Sequence, residues 1–172
     1  RRRGGETGVA AIHAIKGDAV WKAMRAGSFA AGGWDPELFE ACLCRSHDLA
    51  QTRTGFNHIL PSLDEIPGMV PKPVAYRIEY ADGLRATMLL LTGLASPHHF
   101  AARIKGRKDP ISIGFYLPGR GVKNGGTEAP FFNPLAWAIE QLFRTGKPLC
   151  PVERTLLTSG TAGAGVESLW LG

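Results

Sequence analysis

The stretch VAYRIEYADGLRATMLLL, residues 74–91, predicts the fold of this chain more firmly than any other segment. Two runs of alternating side chains flank the turn letters ADG, which is the pattern of a β-hairpin. When Tyr80 is placed opposite Leu84, Glu79 lies opposite Arg85 as a favourable cross-strand charge pair. Because alternation and charge pairing agree, the sequence predicts a single register for this hairpin.

A second hairpin is predicted from Phe100–Ile104 and Ile111–Phe115, with Ile104 opposite Ile111, and we expect both hairpins to share one sheet. The face expected to be the core, covered by the terminal helices, collects Tyr76, Ile78, Met88, Leu90, Phe100, Ile104, Ile113 and Phe115. The face expected to stay open collects Ala75, Arg77, Glu79, Arg85, Thr87, Leu89, Leu91, Arg103, Ser112 and Tyr116. An open face that mixes charged and apolar side chains suits an interface with a second copy, although a solvated sheet face would look similar.

Capping signals divide the rest of the chain into a strand and several helices. Residues 8–16 indicate a strand, and Asp18 is placed to cap a short helix that ends before Gly27. Asp35 followed by proline starts a helix, and Asn133-Pro134 and Pro151 start two more. The order predicts an α+β fold: an antiparallel or mixed sheet built on two hairpins, with helices packed on one face.

The helix that begins at Asn133 carries an apolar stripe of Leu135, Ile139, Leu142 and Phe143. These positions recur at helical spacing, so they occupy one side of the helix. We expect the stripe to bury against the sheet and to contribute a major part of the stability.

Residues 47–73 contain four prolines and no sustained period, which predicts a long loop. Such a loop could be a strap across the sheet or an arm onto another domain. We expect residues 1–172 to form a single domain of a longer protein.

Composition limits the classes of function. An apolar content of 44% and a charged content of 20% predict a folded globular domain, and no apolar run is long enough to span a membrane. The net charge of +5 comes from scattered basic residues, so we expect neither a nucleic-acid partner nor a membrane partner. Cys42, Cys44 and Cys150 match no zinc or disulfide spacing, and we interpret them as buried free thiols of a cytoplasmic protein.

Motifs for catalysis, metal binding and cofactor binding fail on physical grounds. The glycines at 119 and 121 resemble a dinucleotide fingerprint, but Pro130 and a glycine-rich run follow where a helix should start. His98 and His99 are adjacent in a predicted strand, so they point to opposite faces and rarely share a metal. The sequence therefore predicts no catalytic, cofactor-binding or metal-binding residue within this chain.

The segment RGGETG, residues 3–8, is the best candidate for contact with a polar substrate. Its glycines allow close approach of a ligand to the backbone, and Arg3, Glu6 and Thr7 could bind polar substrate groups. The alternative is a helix C-cap followed by a turn into the first strand.

Three segments, RRRGGETGV, EYADGLRATMLLLTG and NPLAWAIEQLFRTGKPLCPVERTLLTSG, together resemble a bacterial group of oxidoreductase-like proteins. That group is related to the glucose–fructose oxidoreductase/inositol dehydrogenase (Gfo/Idh/MocA) family. The last segment is the most specific, because it is similar to the family's ending: a helix, a "TGK-P" stop and a final helix.

The resemblance implies a C-terminal α/β domain that shapes a sugar or polyol pocket and often forms the dimer. It also implies an N-terminal Rossmann domain that holds NAD(P) in the full-length protein, as a partner of this chain. The family's catalytic Lys and His have no matching positions here. Two functions therefore stay open: the substrate-binding and oligomerisation domain of an NAD(P)-dependent oxidoreductase, or a non-catalytic binding or assembly domain.

Overall fold

The computed structural model describes residues 7–45, 60–95, 98–115 and 132–172, which form an α+β fold. The strands are β1 (Val9–Lys16), β2 (Val74–Tyr80), β3 (Arg85–Leu90), β4 (His98–Ala102) and β5 (Ile111–Phe115). The helices are α1 (Asp18–Ala26), α2 (Pro36–Leu43), α3 (Ile66–Met69), α4 (Asn133–Thr145) and α5 (Val152–Leu171). The predicted fold class is confirmed.

The first hairpin forms in the predicted register. Glu79 lies opposite Arg85 in the β2–β3 pair, and the Tyr80 backbone N–H donates to the Leu84 carbonyl at 2.9 Å. The predicted strand β1 pairs antiparallel with the other edge of β2, giving a three-stranded sheet in the order β1-β2-β3. Ala14 faces Tyr76 and Ile15 faces Ala75, so these two pairs lie on opposite faces.

The main core lies on the Ala75 face of this sheet. Ile15, Leu89 and Leu91 share that face and pack against a buried cluster supplied mainly by the helices. The cluster consists of Val20, Trp21, Ala23, Met24, Trp34, Phe39, Leu43, Ile66, Val70, Ala75 and Leu94. The N-terminal helices and α3 therefore cover one face, and their burial is the main hydrophobic contribution to folding.

Helix α5 covers part of the opposite face, along the β1 edge. Gly165 is buried there, and a Cβ at that position would lie 3.1 Å from the Tyr76 ring. The Ala14 backbone N–H donates to the Ser168 hydroxyl at 2.9 Å. This bond satisfies a donor of an edge strand that would otherwise be open to pairing with another chain.

The second hairpin forms its own two-stranded sheet, which corrects the expectation of one shared sheet. Phe100 lies opposite Ile113 and Ala102 lies opposite Ile111, so the register is shifted by two residues from the predicted one. An even shift leaves the predicted faces unchanged. Ile104, predicted as the strand partner of Ile111, follows the end of β4.

Residues at both ends of helix α2 form hydrogen bonds with the second hairpin. Asp35 caps α2 by accepting from the Glu37 and Leu38 backbone N–H groups, as predicted. The other Asp35 oxygen accepts from Arg103 Nε at 2.7 Å, and Arg103 also bonds Glu37. At the opposite end, Arg45 Nε donates to the Ser112 hydroxyl at 2.8 Å.

The predicted assignment of faces is wrong in the second hairpin and only partly right in the first, where Ile78 is buried as predicted and the terminal helix α5 packs on the Tyr76 face. Ala75 and Leu89 lie in or against the core, while the apolar side chains of Met88, Phe100 and Phe115 are about half exposed. Helices thus pack on both faces of the first sheet, where the sequence predicted one. Tyr116, which was predicted to lie on the open face, is outside the described residues.

Phe29, in the loop between α1 and α2, explains how a charged face becomes a covered one. The Arg77 guanidinium stacks on the Phe29 ring at 4.3 Å, and the Arg85 guanidinium lies 5.4 Å from the same ring. Arg77 also donates to the Phe29 carbonyl at 2.5 Å. Both arginines therefore gain cation–π partners under the covering loop.

Two predictions about the helices need correction. Helix α4 has the predicted bounds and ends at Gly146 in the left-handed conformation, but none of its residues is buried. Its stripe of Leu135, Ile139, Leu142 and Phe143 is exposed, with Phe143 at 84%, so it does not pack on the sheet. Asp18 is the first residue of α1 and makes no side-chain cap; Gly17 occupies the cap position.

Part of the segment 47–73, which the sequence predicted to be a long loop, belongs to the hydrophobic core. Residues 46–59 lie outside the described part of the chain, whereas residues 60–73 include α3. Ile66 and Val70 are fully buried in the main cluster, and Leu60 packs against it. The described half of this segment is thus held by apolar burial against the sheet.

The bond between Asp35 and Arg103 predicts a pH dependence of stability. Hydrogen bonding from Arg103 lowers the Asp35 pKa from its ordinary value of 3.8. The contact therefore stabilises the fold fully above pH 3.8, and that contribution is lost as the pH falls through the lowered folded pKa. Asp35→Asn keeps a good N-cap residue but removes the charge.

We expect wild type to be more stable than Asp35→Asn at neutral pH, with the difference shrinking as the pH falls below 3.8. Urea denaturation of both proteins at several pH values measures it. A difference that stays constant with pH would show that the ionisation of Asp35 does not contribute to stability.

Candidate functional site

The predicted substrate-contact residues are not brought together with any catalytic group that the structure describes. Arg3 and Glu6 lie outside the described residues, and Thr7 precedes β1. The Gly8 carbonyl beside it accepts from the Ala81 backbone N–H at 2.8 Å, which ties this end of β1 to the turn of the first hairpin. Thr7 is therefore placed beside the hairpin turn.

A shallow cleft of about 350 Å³ lies between β1 and α5. His13, Glu167 and Ser168 are its polar lining residues, and Ile12, Ala164 and Leu171 supply apolar walls. The Ser168 hydroxyl accepts from the Ala14 N–H, so it serves to hold α5 against β1. Because His13 and Glu167 are exposed, the cleft lacks the enclosure that concentrates binding energy on a small ligand.

The cysteines and histidines occupy separate environments. All three cysteines are free; Cys42 is half-buried, and burial raises the pKa of its thiol, which disfavours the reactive thiolate. Cys44 is exposed, so its predicted burial is wrong. In β4, His98 lies opposite Phe115 and His99 opposite Gly114. Within the described ranges no group of three or more His, Cys, Asp or Glu side chains is placed to hold a metal.

The apolar faces of the two hairpins form the first prominent feature of the surface. Five large apolar side chains on β3, β4 and β5 are 46–52% exposed. They are Met88, Leu90, Phe100, Ile113 and Phe115. We call this set the hairpin surface. It consists of residues that alternation alone had assigned to the core.

The C-terminal helices form the second prominent feature. Both α4 and α5 expose large apolar side chains, and all of those in α5 except Leu171, which lines the cleft beside β1, lie on the side away from the sheet. The exposed residues are Phe132, Leu135, Trp137, Ile139, Leu142, Phe143, Val152, Leu156, Val166, Trp170 and Leu171. Sequence reasoning found the α4 stripe but missed the outer side of α5, whose spacing was a usable signal.

Large apolar side chains are thus exposed on two parts of the described chain, the hairpins and the C-terminal helices. Single apolar residues on a surface are normal, but contiguous apolar patches larger than a few hundred Å² mark interaction sites. None of the helices in the described ranges combines the length and apolarity that a membrane crossing requires.

Comparison with known proteins adds no further assignment. The chain matches no protein-family model, and no curated protein or solved structure shows significant similarity to it.

Proposed function

We propose that this chain is an assembly domain that forms homo-oligomers through its hairpin surface. The observation that carries the proposal is that five large apolar side chains of the two hairpins, on β3, β4 and β5, are about half exposed to solvent. Leaving such faces in water forgoes roughly 25 cal/mol for each Å² of apolar area. A second copy with the same surface recovers that free energy in a two-fold interface.

The edge of the first sheet supports the same role. The sheet order is β1-β2-β3, and α5 flanks β1. In the described part of the chain no strand pairs with the outer edge of β3, the strand that carries Met88 and Leu90. An edge strand with free backbone groups and an adjacent apolar face is suited to contact another copy.

The second candidate is the substrate-binding and oligomerisation domain of an NAD(P)-dependent oxidoreductase acting on sugars or polyols. The observation that favours it is that residues carrying the resemblance form the elements it implies. They build the first hairpin, helix α4, the Gly146 stop and the final helix α5. Under this candidate NAD(P) binds to a Rossmann domain outside this chain, and the location is cytoplasmic.

The gene sequence upstream of the codon for Arg1 is the observation that would distinguish the two candidates. A glycine-rich strand–turn–helix followed by a later Lys favours the enzyme, and its absence favours the assembly domain. Oligomerisation is common to both, so the hairpin surface can be tested without knowing the substrate.

The test replaces Met88 by aspartate. Because Met88 is half-exposed, we expect the unfolding temperature to change by no more than a few °C. In an interface, however, the new carboxylate would be desolvated, so self-association should weaken at least tenfold, or about 1.4 kcal/mol. Sedimentation over a range of concentrations measures it, with wild type expected above the monomer mass of 18.5 kDa.

Leu63→Asp is the matched control, because Leu63 is a similarly exposed apolar residue in the turn before α3. It should leave self-association unchanged. A wild type that sediments at 18.5 kDa throughout would exclude the proposal. Equal dissociation of the Leu63 and Met88 variants would show that the hairpin surface is not the interface.

A further inference from the structure

Helix α5 has two opposite faces suited to packing. Thr161, Gly165 and Ser168 lie on the side toward the sheet and are at least partly buried. On the other side, six residues recur at intervals of 4, 3, 4, 3 and 4 and are all exposed. They are Val152, Leu156, Ser159, Gly163, Val166 and Trp170, and we call them the outer seam.

The outer seam has the spacing at which two helices pack along each other. Alternating intervals of three and four residues give the 3.5-residue repeat of a helix–helix seam. Its four large side chains are 65–86% exposed, so none has a partner sufficient to bury it within the described chain. The inner side of α5 already packs on the sheet, and an outer side with large apolar residues is expected to be covered as well.

The two small residues of the outer seam, Ser159 and Gly163, lie at its middle. An added Cβ at Gly163 would meet nothing within 4 Å, and the same holds for Gly160 one turn earlier. Both glycines have ordinary helical φ values, so neither is required by backbone geometry. Glycine weakens a helix interior relative to alanine, which leaves these positions without a local purpose. Close approach of another helix would supply one.

We propose that the outer seam binds the outer seam of a second copy, with the two α5 helices parallel and crossing at Ser159 and Gly163. The small residues allow close approach at the crossing, and Val152, Leu156, Val166 and Trp170 fill the space on either side. The seam exposes on the order of 600 Å² per copy, so complete burial of both seams would remove roughly 1,200 Å² from water, which reaches the lower limit of a specific stable interface.

Charge selects the parallel orientation. Glu153 and Glu167 flank the seam on one side, and Thr155, Ala162 and Leu169 flank it on the other. In an antiparallel pair Glu153 would lie beside Glu167 of the second copy, which is a like-charge contact. In a parallel pair each acidic flank meets the uncharged flank, so that repulsion is avoided.

This interface is separate from the hairpin surface, and a cysteine cross-link tests it. The native cysteines are replaced by alanine, Met88→Asp is included to weaken the hairpin surface, and Ser159→Cys is added. In the parallel pair the two new thiols face each other, and mild oxidation should convert most of the chain into a covalent dimer. Thr158→Cys, also exposed but on the other side of α5, is the control and should stay monomeric.

A third cysteine variant tests whether the two α5 helices are parallel or antiparallel. In an antiparallel pair, residue 159 lies opposite residue 163, and the two 159 positions are offset by about 6 Å along the helix. Such an offset prevents a disulfide without backbone movement. Cross-linking that requires a mixture of Ser159→Cys and Gly163→Cys would therefore overturn the parallel arrangement.

A reversible measurement uses the tryptophans. Trp170 is the most exposed residue of the seam, while Trp137 is exposed on α4 and lies outside both proposed interfaces. In the Met88→Asp background, Trp170→Ala should weaken self-association at least tenfold, and Trp137→Ala should not change it. Absence of both the cross-link and the Trp170 effect would overturn the seam, and a dimer lost on Met88→Asp alone would still support the hairpin surface.

Discussion

Ala75→Asp is expected to abolish cooperative folding, whereas Met88→Asp on the opposite face of the same hairpin leaves the domain folded. Ala75 has no exposed surface and lies within the main buried cluster. Its cross-strand neighbours on that face, Ile15 and Leu89, are apolar, and Arg77 on the same face is already engaged by the Phe29 ring and carbonyl. An unpaired buried charge costs several kcal/mol, which is comparable with the whole stability of a typical domain.

A second substitution at the same position separates the effect of added volume on stability from the effect of added charge. Ala75→Val adds bulk without charge and should cost about 1–3 kcal/mol, leaving a cooperative transition at lower temperature. Thermal unfolding followed by circular dichroism measures all three variants. A folded Ala75→Asp protein, or a Met88→Asp protein as unstable as Ala75→Asp, would reverse the assignment of faces made here.

The hairpin register could be predicted from sequence because its determinants are local. Glu79 and Arg85 are six residues apart and meet across one turn, so alternation and charge restrict the pairing to one solution. The same reasoning predicted the ends of α2 and α4, where Asp35 and Gly146 act on their own helices.

The covered face could not be predicted, because what covers it comes from distant segments. The Phe29 ring and carbonyl, 48 residues from Arg77, turn a charged face into a packed one. A sequence pattern treats arginine as an exposed residue, and it carries no information about a partner as distant as Phe29. The α4 stripe failed for a related reason: periodicity shows that a helix has an apolar side, but not whether its partner lies in the same chain.

The candidate sites, too, could be predicted from the sequence only in part. Arg3 and Glu6 were chosen for their chemistry, and they lie outside the described residues. The outer seam of α5 was readable from spacing, but its large residues are separated by serine and glycine, which hide the repeat. Exposure in the folded chain is what distinguishes those residues from an ordinary buried stripe.

Gly93→Ala is expected to be strongly destabilising, because it combines two unfavourable effects at one position. Gly93 has φ +108°, a conformation that residues with a side chain rarely adopt. An added Cβ would also overlap the Met69 carbonyl oxygen, at the end of α3. The turn after β3 and the segment that contains α3 would have to separate, which disturbs the burial of Leu94 and Val70.

Gly83→Ala is the matched control for backbone strain. Gly83 has φ +83° in the first hairpin turn, and an added Cβ there meets nothing within 4 Å. Strain alone should cost about 1 kcal/mol, or roughly 2–4 °C in the unfolding temperature of a domain this size. Any entropic gain from replacing glycine in the unfolded chain is common to both variants, so it cancels in the comparison.

The difference between the two variants measures how firmly residues 60–73 are held against the sheet. With strain and overlap together, Gly93→Ala should lower the unfolding temperature by about 6 °C or more. Calorimetric unfolding of both proteins under the same conditions gives the comparison. Equal shifts for the two variants would mean that the α3 segment moves away from the turn at little cost. Such a segment would be an arm available to another domain, and Ile66 and Val70 would then contribute little to the stability of this one.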